Sequence, residues 1–173
     1  MDAILIVDGY NIIHAWPELH KLSDELNLDA ARDRLVHILA NYSGASHTRV
    51  ILVFDAYQTE RKTSTLRKEA GVEVVFTPKG VTADQYIEHL VENTDTRNYP
   101  VQVATSDATE QSMVLGSGAI RLSARELQLR CREATQRQQE YLARREIVKP
   151  NTLENILPAD VISRLRKAIS EEE

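Results

Sequence analysis

The chain of 173 residues has a single cysteine, Cys131, and few aromatic residues. One cysteine excludes an internal disulfide and a zinc site built from several cysteines. It also fits a reducing compartment, so we expect a cytoplasmic protein. Aromatic residues make up 5% of the chain, too few for extended surfaces on which nucleic-acid bases stack. The composition therefore argues against a disulfide-rich secreted protein and against binding of single strands mainly by stacking.

The sequence also lacks long hydrophobic runs and an excess of positive charge. No apolar stretch approaches the roughly 20 residues needed to span a membrane, and the N-terminal MDAILIVDGY lacks the basic leader of a signal peptide. We therefore expect no membrane partner. The net charge is −5, which argues against a chain-wide basic surface for nucleic acid. No Walker A or G-x-G-x-x-G sequence occurs, so no nucleotide cofactor is indicated.

The charge is distributed unevenly along the chain. Residues 1–120 carry 10 Lys and Arg against 17 Asp and Glu, whereas residues 121–149 carry 8 against 4. A smaller basic cluster lies within the acidic part and contains Arg61, Lys62, Arg67 and Lys68. An acidic body with separate basic regions suits a protein that holds a metal ion in one place and a polyanion in another. The alternative is that these cations only cover solvated surface.

Short apolar runs alternate with helical patterns. Four runs rich in Val and Ile predict strands buried on both faces of a parallel sheet, at residues 3–7, 50–54, 72–76 and 101–104. Between and after them, helices are predicted at residues 28–42, at 82–92 with Thr82 as the cap, from Asp107, at 123–147, and after Pro158. Ser123 and Glu126 form a capping-box pattern at the start of the long helix. The alternation predicts an α/β domain with a mainly parallel sheet.

The sequence predicts one domain and a short extension. We assign residues 1–149, including the long arginine-rich helix, to the domain. The segment Lys149-Pro150-Asn151 reads as a break, after which residues 150–173 form a C-terminal helical appendage.

Four acidic residues follow the predicted strands. Asp8 and Asp55 come directly after the first and second strands, and Asp107 comes three residues after the last. Asp84 falls in the first turn of the helix after the third strand. Ligands of open parallel sheets bind beyond the carboxyl ends of the strands, so all four acids are expected at one edge. Each also has a structural interpretation as a helix cap, a turn residue or a partner of a helix dipole.

Such a group of carboxylates suits a hard metal ion. Clustered carboxylates repel one another unless a proton or a cation lies among them. Mg²⁺ and Mn²⁺ favour oxygen ligands and bind substrate phosphates together with carboxylates. A metal held there lowers the pKa of bound water and stabilises the leaving oxygen of a phosphoryl displacement. The sequence therefore favours phosphodiester hydrolysis.

Several blocks of the sequence resemble the YacP-like NYN-domain family, a branch of the PIN-like nucleases. The blocks are ILIVDGYNII at 4–13, AWP at 15–17, VFDA at 53–56, TAD at 82–84, ATSD at 104–107, GSGA at 116–119 and SAREL at 123–127. The resemblance implies a Rossmann-like α/β/α sandwich and a Mg²⁺- or Mn²⁺-dependent endoribonuclease. It also implies RNA, specifically mRNA, as substrate and the ribosome as a partner.

The resemblance also implies roles for single residues. Asp8, Asp84 and Asp107 match the catalytic, metal-binding acids of the family, Asp55 is a supporting acid, and Asn11 orients Asp8 or a bound water through its amide. A helix-capping role for Asn11 is the alternative. The basic cluster is expected in a turn after the second strand at the same edge, where it would contact RNA. Arg121 and Arg125 belong to a second predicted RNA-binding surface.

Two other functions remain open from the sequence. A non-catalytic RNA- or ribosome-binding module would retain the acids without using them. A phosphoacceptor domain would use Asp55, but it requires paired acids after the first strand, and Gly9 and Tyr10 follow Asp8 there.

Overall fold

In the computed structural model, residues 3–55, 65–96, 98–106, 118–147 and 161 are described. The chain divides into two compact units, residues 1–136 and residues 137–173. The first contains the sheet and the helices packed against it. Of the second, residues 137–147 are helical. Within these described ranges, no helix is both long and apolar enough to cross a membrane.

Six strands and five helices are described. The strands are β1 (Ile4–Asp8), β2 (Arg49–Phe54), β3 (Thr65–Glu69), β4 (Val72–Phe76), β5 (Val101–Thr105) and β6 (Ile120–Ser123). The helices are α1 (Gly9–Ala15), α2 (Pro17–Glu25), α3 (Leu28–Ser46), α4 (Ala83–Glu92) and α5 (Ala124–Ile147).

The strands form one sheet in the order β3-β4-β2-β1-β5-β6. All pairs of neighbouring strands are parallel except β3 and β4, which are antiparallel. The central strand β1 is paired on both sides, and Val7 lies between Leu52 of β2 and Ala104 of β5. The carboxyl ends of β1, β2, β4, β5 and β6 therefore meet at one edge, which we call the carboxyl edge.

Alternate residues of the strands point into two separate cores. Leu5 and Val7 pack with α1, α2, α3 and the first part of α5, whereas Ile4 and Ile6 pack with α4 on the other face. Because both faces are covered, the central strands contain almost only apolar residues. The predicted α/β/α sandwich with a mainly parallel sheet is confirmed.

The predicted strands and helix starts agree closely with the structure. Each of the four apolar runs is a strand, with bounds that differ by at most one residue. Thr82 caps α4 in a capping box with Gln85, and Ser123 and Glu126 bond reciprocally at the start of α5. The helices predicted from Asp107 and after Pro158 lie outside the described residues, apart from Val161.

Besides α1, which was implied only by the capping alternative for Asn11, three described elements were not predicted. Helix α2 starts at Pro17, directly after Trp16 ends α1, because proline suits the first helical position. Strand β6 is short and mostly exposed, and β3 is exposed along its length. Exposed edge strands lack the apolar pattern that predicts a buried strand.

The position of β3 corrects the expectation for the basic cluster. Arg67 and Lys68 lie on a strand, not in a turn. Since β3 runs antiparallel, Lys68 pairs with Glu73 near the start of β4, away from the carboxyl edge. The expectation that Lys68 lies at this edge is therefore wrong. Arg61 and Lys62 lie outside the described residues.

Candidate active site

Asp8 occupies the junction between the central strand and the first helix. It is the last residue of β1 and the N-cap of α1, and its Oδ1 accepts a hydrogen bond of 3.1 Å from the backbone N–H of Asn11. Its residue surface is only 6% exposed. A buried carboxylate at a helix start is held in one orientation, since an N–H of the first helical turn faces it. The capping role of Asp8 is therefore shown, and its role as a catalytic, metal-binding acid stays a prediction.

Gly9 allows the start of α1 to lie directly against Phe54. A Cβ atom at this position would lie 2.2 Å from Cε1 of Phe54. The Phe54 ring is buried and packs between the rings of Tyr10 and Phe76, with centroid distances of 5.0 and 5.5 Å. Phe54 ends β2 directly before Asp55. Because Gly9 lies directly against Phe54, the carboxyl ends of β1 and β2 are held in a fixed position relative to each other.

Arg32 of α3 covers this aromatic cluster. Its guanidinium lies 5.4 Å from the centroid of the Tyr10 ring and donates a hydrogen bond of 2.7 Å to the Tyr10 hydroxyl. Burial raises the pKa of Tyr10 above its ordinary value, and the charges of Asp29 and Asp55 raise it further. The charge of Arg32 and its hydrogen bond to the hydroxyl offset part of this rise in the pKa. Tyr10 therefore stays a neutral phenol within the electrostatic reach of Asp55. No local pattern predicts this role of Arg32, because Arg32 and Tyr10 are 22 residues apart in the chain.

Asn11 connects the first strand–helix junction to the end of β5. Its Oδ1 accepts hydrogen bonds from the backbone N–H of Ser106, at 2.9 Å, and from the Ser106 hydroxyl. Ser106 directly precedes Asp107. Asn11 is therefore not the cap of α1, which is Asp8. It holds the chain segment that leads into Asp107.

The other predicted acids are distributed as follows. Asp55 is half-buried directly after β2. Asp84 is exposed in the first turn of α4, the helix that follows β4. Asp107 lies outside the described residues. Among the residues that the structure describes, no group of three or more His, Cys, Asp or Glu is close enough to hold a metal ion. The three-acid set remains a prediction, since one of its members is not described.

Arg121 and Arg125 lie on the β6 side of the carboxyl edge. Arg121 is on β6, whose end pairs with the end of β5 through Thr105 and Ser123. Arg125 is in the first turn of α5, and both arginines are exposed. Trp16 donates a hydrogen bond of 2.8 Å from its indole to the backbone oxygen of Ala124. The Trp16 ring is 3% exposed, so it fixes the start of α5 and is not a platform for bases.

Cys131 is excluded as a nucleophile by its surroundings. Burial in the core beneath α5 raises the pKa of its thiol to about 12. A thiol of this kind stays protonated near neutral pH and is unreactive.

Comparisons with known proteins agree on one family. The family model of the YacP-like NYN domain matches residues 5–170. The chain is 45% identical over 127 residues to the uncharacterized protein YacP of Bacillus subtilis, which covers 72% of each chain. It is also similar to the crystal structure of Rae1 (YacP) from Bacillus subtilis, with a TM-score of 0.73, 36% identity, and coverage of 99% of this chain and 92% of that one. A mutant of Rae1 gives a TM-score of 0.72 at 39% identity, with 88% of each chain covered.

Proposed function

Because the chain belongs to the YacP-like NYN domain family, a branch of the PIN-like nuclease superfamily, we propose that it is a metal-dependent endoribonuclease. Its substrate in this proposal is the phosphodiester backbone of mRNA presented by the ribosome in the cytoplasm. Family membership supports a nuclease, and the residues at the carboxyl edge support the more specific assignment.

The observation that carries the proposal is the arrangement of Asp8 and Asn11. Asp8 is a buried carboxylate held by the start of α1. Three residues later, Asn11 holds Ser106, the residue before Asp107. One helical turn thus orients the Asp8 carboxylate and binds Ser106, the last described residue after β5. Groups held in this way need little reorganisation when charge develops in a transition state.

The donor set fits Mg²⁺ or Mn²⁺. Asp8, Asp84 and Asp107 would hold the ion through carboxylate oxygens, the ligands that these hard cations favour. When bound, the ion would lower the pKa of an attacking water and stabilise the leaving oxygen of the RNA. Asp55 follows β2 near Tyr10 and adds negative charge to the same edge. Asn11 acts in this proposal as a positioning residue, since its oxygen is bonded to Ser106.

The overall charge supports a partner that presents the RNA. Affinity for nucleic acid depends largely on neutralising phosphates with Lys and Arg, and the chain carries a net charge of −5. A metal ion at the acidic edge and a few local arginines would give weak binding to free RNA. The ribosome would then supply the local concentration and the orientation of the message.

The test is cleavage of one mRNA, free and on translating ribosomes, in Mg²⁺ and in chelator. We expect Asp8→Asn and Asp84→Asn each to lower the cleavage rate about 100-fold or more, the scale of losing one preorganised electrostatic group. Asparagine also caps helices well, so Asp8→Asn should keep its melting temperature. Asp33→Asn, at an exposed position of α3, is the matched control and should cleave normally.

Each outcome discriminates between functions. Cleavage of ribosome-bound message only, lost in chelator, supports the full proposal. Cleavage of both free and ribosome-bound mRNA supports the nuclease proposal and shows that the ribosome is not required. Unchanged cleavage by both acid variants overturns the assigned acids. RNA binding without cleavage by the unmodified protein identifies the chain as a non-catalytic module.

A further inference from the structure

A cavity of about 500 Å³ opens beside the candidate active site, at the carboxyl edge between β5, β6 and the α1–α2 corner. Its walls come from Ala15 and Trp16 at the corner, Ser106 after β5, Arg121 on β6, and Arg125 and Gln128 on α5. The volume falls in the range of roughly 300–1,000 Å³ that is typical of small-ligand sites. It is sufficient for one nucleotide.

The lining of this cavity is basic and polar. Among the residues that the structure describes, eight line the cavity, and they include two arginines and no acid. Arg125 and Gln128 are three residues apart on α5 and therefore share one face of the helix. Arg121 and Ser123 are two residues apart on β6 and share one face of the strand. Two cations therefore approach the same space from different elements, in a chain whose net charge is negative.

The cavity and the acidic edge share one residue. Ser106 donates hydrogen bonds from its backbone N–H and its hydroxyl to Asn11, and it also lines the cavity. Asn11 in turn follows Asp8 within α1. Asn11 and Ser106 therefore connect the acidic residue Asp8 to the wall of the cavity.

We propose that this cavity is a subsite for one unpaired nucleotide of single-stranded RNA, next to the phosphodiester that is cut. Arg121 and Arg125 bind the phosphate of this nucleotide. The Gln128 amide donates hydrogen bonds to the base or ribose and accepts hydrogen bonds from them. The assignment of RNA rests on the proposed function, while the charge and shape of the cavity are independent of it. A base-paired nucleotide cannot enter a cavity of this size with its partner strand, so the subsite selects unpaired RNA.

The test measures binding without cleavage. Starting at low salt, where weak binding to free RNA is strengthened, fluorescence anisotropy would follow a labelled single-stranded RNA oligonucleotide bound to the full chain carrying Asp8→Asn, in chelator. We expect Arg121→Ala and Arg125→Ala each to weaken binding about 5- to 10-fold. Each should also lower the slope of log affinity against log salt by about 1, as expected for a lost phosphate contact. Arg132→Ala, an exposed arginine of α5 that does not line the cavity, should change affinity by less than twofold.

A second variant tests the shape of the cavity rather than its charge. Ala15→Leu adds volume at an exposed position of the wall without changing the net charge. We expect it to weaken binding of the single strand by a factor similar to the arginine variants, with an unchanged melting temperature. A blunt RNA duplex should compete poorly with the single strand.

Three results would overturn the subsite. The first is an equal loss of RNA affinity in Arg132→Ala and Arg125→Ala. The second is equal competition by the duplex and the single strand, and the third is that the single strand does not bind at all. Cleavage that persists alongside such a result leaves the nuclease proposal standing. Conversely, arginine-dependent binding without metal-dependent cleavage leaves the subsite standing and overturns the nuclease.

Discussion

The acidic and the basic sides of the carboxyl edge are built differently. On the acidic side, Asp8 is almost fully buried, and the glycine after it packs directly against the Phe54 ring. On the basic side, Arg121 and Arg125 extend into solvent from β6 and α5. Groups that act on a reacting atom must be held rigidly, whereas charges that attract a polyanion act over a distance of about 10 Å and tolerate motion. The comparison predicts that the acidic side is sensitive to packing and the basic side to charge.

The largest predicted effect comes from Gly9→Ala. The added Cβ would overlap Phe54, whose ring is enclosed by Tyr10 and Phe76, so we expect a loss of about 2–3 kcal/mol of stability, as for overpacked cores. Urea unfolding measures it. Gly44→Ala is the control, since an added Cβ there meets no atom within 4 Å, and it should stabilise α3 slightly. An unchanged stability of Gly9→Ala would contradict the rigid packing of the acidic side.

Asn11→Ala should mainly affect activity. It removes the acceptor for Ser106 and so releases the segment before Asp107. Loss of a residue that orients metal ligands typically costs 10- to 100-fold in activity or metal affinity. Asn11→Asp retains an acceptor oxygen and should recover part of the Mg²⁺ affinity measured by titration. Full activity of Asn11→Ala would place Asn11 outside the site.

Ser123→Ala tests whether the basic side tolerates loosening. Ser123 bonds reciprocally with Glu126 at the start of α5, and loss of such a cap costs about 1 kcal/mol. We expect a lower melting temperature but nearly unchanged RNA affinity, because the arginine charges remain. Ser123→Thr keeps the cap and serves as the control. A large loss of RNA affinity in Ser123→Ala alone would show that the basic side also depends on precise positioning.

The smallest effect is predicted at the opposite edge of the sheet. Arg49 donates two hydrogen bonds of 2.7 Å to Glu73, and these bonds lower the pKa of Glu73 below its ordinary value of 4.5. A lowered carboxyl pKa stabilises the fold fully above that ordinary value, and the contribution is lost as the pH falls through the lowered pKa. Glu73→Gln should therefore cost about 1 kcal/mol or less at pH 7.

The pH dependence of unfolding checks this. The difference in the free energy of unfolding between the unmodified protein and Glu73→Gln should shrink as the pH falls below 4.5. The rate of RNA cleavage at pH 7 should be equal in the two proteins. A difference that grows on acidification would contradict the assigned sign.

Much of the fold could be predicted from local patterns. The apolar runs of β1, β2, β4 and β5 are buried on both faces and therefore contain an almost continuous signal. The caps at Thr82 and Ser123 are local hydrogen-bonding motifs and were found for that reason. Strand β3 was missed because its side chains are exposed and its pairing depends on β4.

The candidate site was only partly predictable. The rule for parallel sheets predicts Asp8 and Asp55 at the carboxyl edge, where Asp8 ends β1 and Asp55 directly follows β2. The roles of Arg32 and Ser106 were not predictable, because each depends on a partner 22 or 95 residues away in the chain. Lys68 was misplaced, since the direction of an edge strand is decided by its pairing.

The class of fold, the positions of the buried strands along the chain and the acids at their ends were predictable from the sequence alone. These properties follow from the period of apolar residues and from capping, which act over a few neighbouring residues. Three other features depend on tertiary contacts: Gly9 packs against Phe54, Asn11 binds Ser106, and two arginines line one cavity with Ser106. Such contacts join segments far apart in the chain, and their geometry is set by how the sheet and helices pack, which no local pattern encodes.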